Sequence, residues 1–123
     1  MKEEEMEIVL IEDNDEDAAR MLKFLRSNLK NSVRLIQDGG TAAEFLLFET
    51  DSIPKLILLD LVLPSVDGIE LYQMIRAEPS QRHLSVIFLV SSPQSKEYLE
   101  SLGLQPDGYI RKPHDGQPPL RLE

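Results

Sequence analysis

The chain predicts an α/β fold, a doubly wound parallel sheet of five strands. Three observations carry this. Short apolar runs without polar alternation, such as Ile8–Ile11 and Leu56–Leu59, fit strands buried on both faces. Segments with helical periodicity alternate with these runs, which implies right-handed crossovers and helices on both sides of the sheet. Several runs also end on polar residues, Glu12-Asp13, Asp60 and Ser91-Ser92 among them. In open α/β sheets that strand edge is where sites are built.

Met6 to Ile11 is the first strand. Asn14 or Asp15 caps the following helix, whose first turn holds Asp15, Glu16 and Asp17, where acids complement the helix dipole. Ala18, Leu22, Leu25 and Leu29 mark its apolar face. Ser32–Ile36 is a short second strand, and Asp38-Gly39-Gly40 a turn. Thr41 with Glu44 has the spacing of a capping box for a second helix carried by Ala42, Phe45 and Leu46. Asp51-Ser52-Ile53-Pro54 breaks that helix and leads into the central strand. A charge inside that apolar run would be costly, so Asp60 belongs at its C-terminal end. Pro64 and Asp67-Gly68 make a loop, with Asp67 capping a third helix over 69–77. Its inner face is drawn from Ile69, Leu71, Tyr72 and Ile75. Leu84–Val90 is the fourth strand, Ser95 caps a short helix through Leu102, and Gly103 is a natural terminator. Gly108–Ile110 is a very short fifth strand before Lys112-Pro113.

The 123 residues suit one domain. It spans residues 1–113, with a Pro-rich tail over 114–123. A closing helix does not fit the tail, so a fifth helix is missing or truncated. The formal net charge of −9 argues against partnership with nucleic acid or an anionic membrane. The absence of cysteine excludes disulfides, thiolate metal sites and cysteine nucleophiles. The acidic N-terminus reads as neither signal peptide nor membrane span, so a cytoplasmic location is expected.

In a parallel sheet, Glu12, Asp13, Asp60, the Ser91-Ser92 pair and Lys112 share one edge. Three clustered carboxylates repel one another unless a cation joins them. Mg²⁺ suits a few carboxylate oxygens plus water, and with Lys112 it balances the three charges. A phosphoryl group arriving at Asp60 meets positive charge on two sides. Glu16 reads as a solvated helix start, and so does Asp17. His83 and His114 read as surface residues.

The sequences I-V-L-I-E-D-N, L-I-L-L-D-L-V-L-P-S-V-D-G and G-Y-I-R-K-P resemble the receiver domains of two-component response regulators, which have the flavodoxin-like receiver fold. The stretch A-E-P-S-Q-R-H-L is similar to the single-domain receivers that partner bacterial phytochrome kinases. The resemblance implies that Asp60 is the phosphoacceptor for a histidine kinase and that the module is not an enzyme in its own right. It implies Mg²⁺ on Glu12, Asp13, Asp60 and the Val62 carbonyl. It implies that Lys112 pairs with the phosphoryl group, that a cis peptide bond joins Lys112 to Pro113, and that Tyr109 is an aromatic switch.

Two departures from that family pattern stand out. Family spacing puts a hydroxyl residue thirty positions after the acceptor and twenty-two before the lysine, where this chain has Val90. Ser91 takes the role only through a bulge or register shift; otherwise the hydroxyl-driven switch is lost. The missing fifth helix leaves an apolar face for a second copy to cover, giving a homodimer. Without a fused output domain, the signal passes to an unnamed downstream protein. The alternative is a pseudo-receiver, a phosphate-independent interaction module. An aspartyl phosphatase is disfavoured because Val62 stands where a second acid belongs. Nucleotide binding is disfavoured because no glycine-rich loop follows the first strand.

Overall fold

The computed structural model describes residues 6–48, 55–61, 67–79 and 84–123. In chain order these form β1 (Glu7–Ile11), α1 (Asp15–Asn28), β2 (Val33–Ile36), α2 (Gly39–Phe48), β3 (Lys55–Asp60), α3 (Gly68–Ala77), β4 (Ser85–Val90), α4 (Pro93–Ser101), β5 (Gly108–Arg111) and β6 (Leu120–Leu122). The sheet order is β2-β1-β3-β4-β5-β6. The first five strands are mutually parallel, as their patterning predicts.

Strand alternation sorts the core into two layers. Val9, Ile11, Ile57, Leu59, Val86, Phe88 and Val90 face α2, α3 and α4, and Tyr109 joins them. Ile8, Leu10, Leu58 and Leu89 face α1, which contributes Met21 and Leu25. The inner face of α1 therefore runs through Ala18, Met21 and Leu25, with Leu22 half-buried. Leu29 follows the last helical turn and is exposed rather than part of that face.

The helix starts follow their caps. Asn14 accepts from the Asp17 amide, and Asp67 from the Ile69 amide, as expected. The second helix begins earlier than the Thr41 capping box predicts. The Asp38 carboxylate accepts both the Thr41 amide at 2.8 Å and its hydroxyl at 3.1 Å. Asp38 is thus the cap, and the two glycines belong to the helix. The fourth helix also starts earlier, because Ser92 rather than Ser95 supplies the cap and Pro93 fits the first turn.

No helix follows β5 among the described residues, which include the whole of 84–123. The tail instead makes a hairpin that the sequence reading did not foresee. His114 and Gln117 exchange backbone hydrogen bonds at 3.2 and 2.7 Å across Asp115-Gly116. Both loop residues have positive φ, 29° and 77°. This is the conformation of a two-residue type I′ turn, for which Asp-Gly is a preferred pair. β6 then runs antiparallel to β5, pairing Leu122 with Tyr109. The predicted five-stranded parallel sheet thus gains a sixth, antiparallel edge strand.

A polar clamp fixes the lower ends of β4 and β5 to α3. Arg76 donates to the Leu84 carbonyl and to Asp107, both at 2.9 Å, and Asp107 accepts the Val86 amide at 2.7 Å. Tyr72 donates to the Gln105 carbonyl at 2.7 Å. From this clamp an edge-to-face ladder runs through the core, Tyr72 to Phe88 at 4.8 Å and Phe88 to Tyr109 at 5.8 Å. Such pairs add about 0.5–1.5 kcal/mol each beyond their burial.

Gly116→Val places a branched side chain at φ 77°. It should cost about 1–2 kcal/mol and loosen β6, read as a lower unfolding midpoint and faster amide exchange at Leu120–Leu122. Unchanged exchange there would show that the hairpin does not hold the edge strand.

Candidate functional site

The site grows from the alternation that builds the sheet. On the α1 face, Leu10, Leu58, Leu89 and Ile110 belong to one core layer. Two residues beyond each comes Glu12, Asp60, Ser91 and Lys112. Residues two apart share a face, so the same pleat that packs the core delivers four polar residues to one edge. Pairing stays one-to-one, with Asp60 opposite Leu89 and Val90 opposite Arg111, and the Lys112 amide bonds the Val90 carbonyl at 2.8 Å.

Lys112 is the hub. Its Nζ donates to Asp60 Oδ2 at 3.0 Å and to Asp17 Oδ2 at 3.3 Å, and lies 2.9 Å from Glu12 Oε1. Glu12 is fully buried, and its Oε1 has no aligned hydrogen bond among the described residues. Its other oxygen accepts the Asn14 amide at 3.2 Å. Burial, then the Asp60 carboxyl, pushes the Glu12 pKa up to about 8, while Lys112 pulls it back. Burial opposes the Lys112 charge, but Glu12 and Asp60 outweigh it and raise the lysine above its ordinary value.

Glu12, Asp13 and Asp60 each present a carboxylate oxygen within 4.8 Å of the others. A fully buried carboxylate beside two further acids suits a hard divalent cation. The residues present therefore fit the Mg²⁺ expected from the sequence. Val62, whose carbonyl was expected to complete the set, lies outside the described residues, as does His83.

Asp13 and Asp60 line an open cleft of roughly 800 Å³ together with Asn14, Asp17, Asp67, Val90, Ser91, Gln94, Ser95, Tyr98 and Lys112, and Glu12 is buried beside it. That is ample for a phosphoryl group beside a hydrated cation. Asp17 is the residue sequence reasoning missed. An acid in a first helical turn is ordinary, and nothing in the sequence pattern set Asp17 apart from Asp15 and Glu16. Glu16, in contrast, has a side chain 83% exposed, as the sequence suggested.

Val90 is 4% exposed and packs in the layer of Phe88 and Tyr109. Ser91 is exposed, follows the last residue of β4 and lines the cleft together with Asp60. Tyr109 is already turned inward, 7% exposed, with a buried hydroxyl that finds no partner among the described residues. The Lys112–Pro113 bond is trans, correcting the cis bond the resemblance implied. Trans is the intrinsically favoured isomer, and here the chain runs on directly into the His114–Gln117 hairpin.

Gly68 sets the distance between α3 and the acceptor strand. Its amide bonds the Leu61 carbonyl at 3.2 Å. A Cβ there would stand 2.4 Å from Leu61 Cα and 2.7 Å from the Asp60 carbonyl oxygen. Both obstacles are backbone, so no side chain can yield.

Comparison with known proteins agrees with this geometry. The family model for the response regulator receiver domain matches residues 8–118. The solved bacteriophytochrome response regulator AtBRR is 32% identical, with a TM-score of 0.80 over 89% of this chain and 83% of its own. A phosphorylated cyanobacterial phytochrome response regulator, RcpA, is 32% identical, with a TM-score of 0.74 over 89% and 81%. The receiver domain of the sensor histidine kinase PA1611 from Pseudomonas aeruginosa, solved with magnesium in its active-site cleft, is 30% identical, with a TM-score of 0.73 over 89% and 86%.

Two outcomes are expected. Gly68→Ala should lose about 1–3 kcal/mol of stability by backbone overpacking, measured by denaturant unfolding. The raised Glu12 pKa makes the folded state keep a proton that the unfolded chain releases above about 4.5. That stabilisation is complete below about 4.5 and is lost as pH rises to about 8. Metal-free protein should therefore weaken over that window, and Glu12→Gln should flatten the slope; an unaltered slope would place the titration elsewhere.

Proposed function

The chain belongs to the response regulator receiver family, signalling modules of two-component systems, and on that premise we propose that it accepts a phosphoryl group on Asp60 from a histidine kinase with the help of Mg²⁺. The observation that carries the reading is the contact of Lys112 with Asp60, 3.0 Å, in a cleft lined also by Asp13, with the buried Glu12 carboxylate 2.9 Å from the same ammonium. The phosphorylated and magnesium-bound neighbours support the same chemistry.

An Asp60 oxygen attacks the phosphorus of a phosphohistidine; the new O–P bond forms as the N–P bond breaks, and the imidazole leaves with its electron pair. A carboxylate is a weak nucleophile, so positioning and charge stabilisation must supply most of the acceleration. Lys112 holds Asp60 in place and then neutralises phosphoryl oxygens. Glu12, Asp13 and Asp60 would hold Mg²⁺, which supplies Lewis-acid stabilisation of the transferring group. Glu12 must give up its proton to serve as an ionised ligand. Asp17 competes for Lys112, and releases it as the phosphoryl group draws the ammonium in.

The histidine kinase is the donor partner, and the downstream partner is a protein that recognises the phosphorylated surface. The phosphate-independent pseudo-receiver requires a site that cannot be charged, and the assembled acids and lysine oppose it.

Incubation with acetyl phosphate and Mg²⁺ should add one phosphoryl mass to the intact protein. Asp60→Asn should add none, and Lys112→Ala should slow the reaction by roughly tenfold or more, the loss expected for one charged hydrogen bond. An unmodified mass at saturating donor would refute the acceptor reading.

A further inference from the structure

Val90 leaves the acceptor without a hydroxyl at the end of β4, yet hydroxyls stand close by. Ser91, Ser95, Asp60 and Lys112 line one cleft. Ser91 Oγ lies 3.4 Å from Ser95 Oγ, and Ser95 Oγ lies 3.1 Å from Ser92 Oγ. Ser92 Oγ also accepts the Ser95 amide at 3.2 Å, which is the N-cap of α4. Each hydroxyl has one proton to donate and two lone pairs to accept with. Three donors and two contacts leave one O–H to point outward. Donation from Ser92 to Ser95 to Ser91 leaves the Ser91 proton for the cleft, and chained hydroxyls polarise one another in that direction.

Tyr109 offers no comparable freedom. It is already buried, its ring meets Phe88 edge-to-face, and the Lys96 ammonium of α4 lies 5.6 Å from its centroid. Val90, packed in the same layer, has no group for a phosphoryl oxygen to pull.

From these contacts we infer that the Ser91–Ser95–Ser92 chain takes the place of the missing strand-end hydroxyl, so that a phosphoryl group on Asp60 is sensed by the first turn of α4 while Tyr109 stays still. The inference rests on the acceptor reading of Asp60. Ser91 donates to a phosphoryl oxygen, a charged acceptor stronger than a neutral hydroxyl. Ser95 turns with it, and the cap of α4 is redrawn. Ser91 touches the phosphoryl group; Ser95 is a positioning residue acting through Ser91.

The test uses the full chain with acetyl phosphate and Mg²⁺, reading intact mass first and amide and tyrosine-ring NMR signals second. In the wild type, the amides of Ser92, Gln94, Ser95 and Lys96 should shift on phosphorylation and the Tyr109 ring signals should not. Ser91→Ala should be phosphorylated roughly tenfold more slowly. Ser95→Ala should lose most of the α4 amide shifts, and Ser95→Thr, which keeps the hydroxyl, should restore them. Phosphoryl mass accompanied by Tyr109 ring shifts and static α4 amides would overturn the inference alone. So would a Ser95→Ala protein that shifts like the wild type. No phosphoryl mass in the wild type would instead refute the acceptor reading, and this inference with it.

Discussion

One ammonium group holds the acidic edge of this sheet together. Lys112 sits within 3.3 Å of carboxylates from the end of β1, the first turn of α1 and the end of β3. Without a cation those acids could not stay close while ionised. Two consequences coexist. The lysine keeps Asp60 in place, and it opposes the burial and the Asp60 carboxyl that raise the Glu12 pKa. The structure thus stores its reactive arrangement in an electrostatic balance rather than in backbone strain. A divalent cation or an incoming phosphoryl group changes that balance at once, because each enters the same small set of charges.

Much of this was legible from sequence because two simple rules coincide. Uninterrupted apolar runs identify buried parallel strands, and the pleat then assigns faces. Glu12, Asp60 and Lys112 each follow an α1-face core residue by two positions, so their convergence was implied once the strands were placed. The illegible parts are those where one residue pattern serves several purposes. Asp17 looks the same whether it answers a helix dipole or a lysine from β5. Thr41 and Glu44 satisfy a capping pattern, but Asp38 offers a charged acceptor and wins the cap. Asp115-Gly116 is a strong hairpin signal only when both flanks read as strands, and the surrounding prolines hid that. The family's count falls on Val90, whose side chain packs with Phe88, while Ser91 beyond the strand end lines the cleft with Asp60.

The sheet is covered unequally. Three helices pack against one face and α1 against the other. The β6 hairpin lengthens the sheet beside β5 but does not replace a helix. Its contribution is lateral: it pairs with Tyr109 and brings the carbonyl of Glu123 to the Lys96 ammonium of α4 at 2.6 Å. The edge of the sheet and the helix beside the cleft are therefore tied together, and Tyr109 lies between them.

The aromatic ladder also makes the protein its own optical probe. The chain has no tryptophan and three tyrosines. Two of them, Tyr72 and Tyr109, are buried on either side of Phe88. The third, Tyr98, is 63% exposed and lines the cleft. Near-ultraviolet circular dichroism draws on rigid, asymmetric surroundings and so is dominated by the buried pair, whereas collisional quenching of tyrosine emission selects the exposed ring. The integrity of the core and the state of the cleft can thus be followed separately without adding a label.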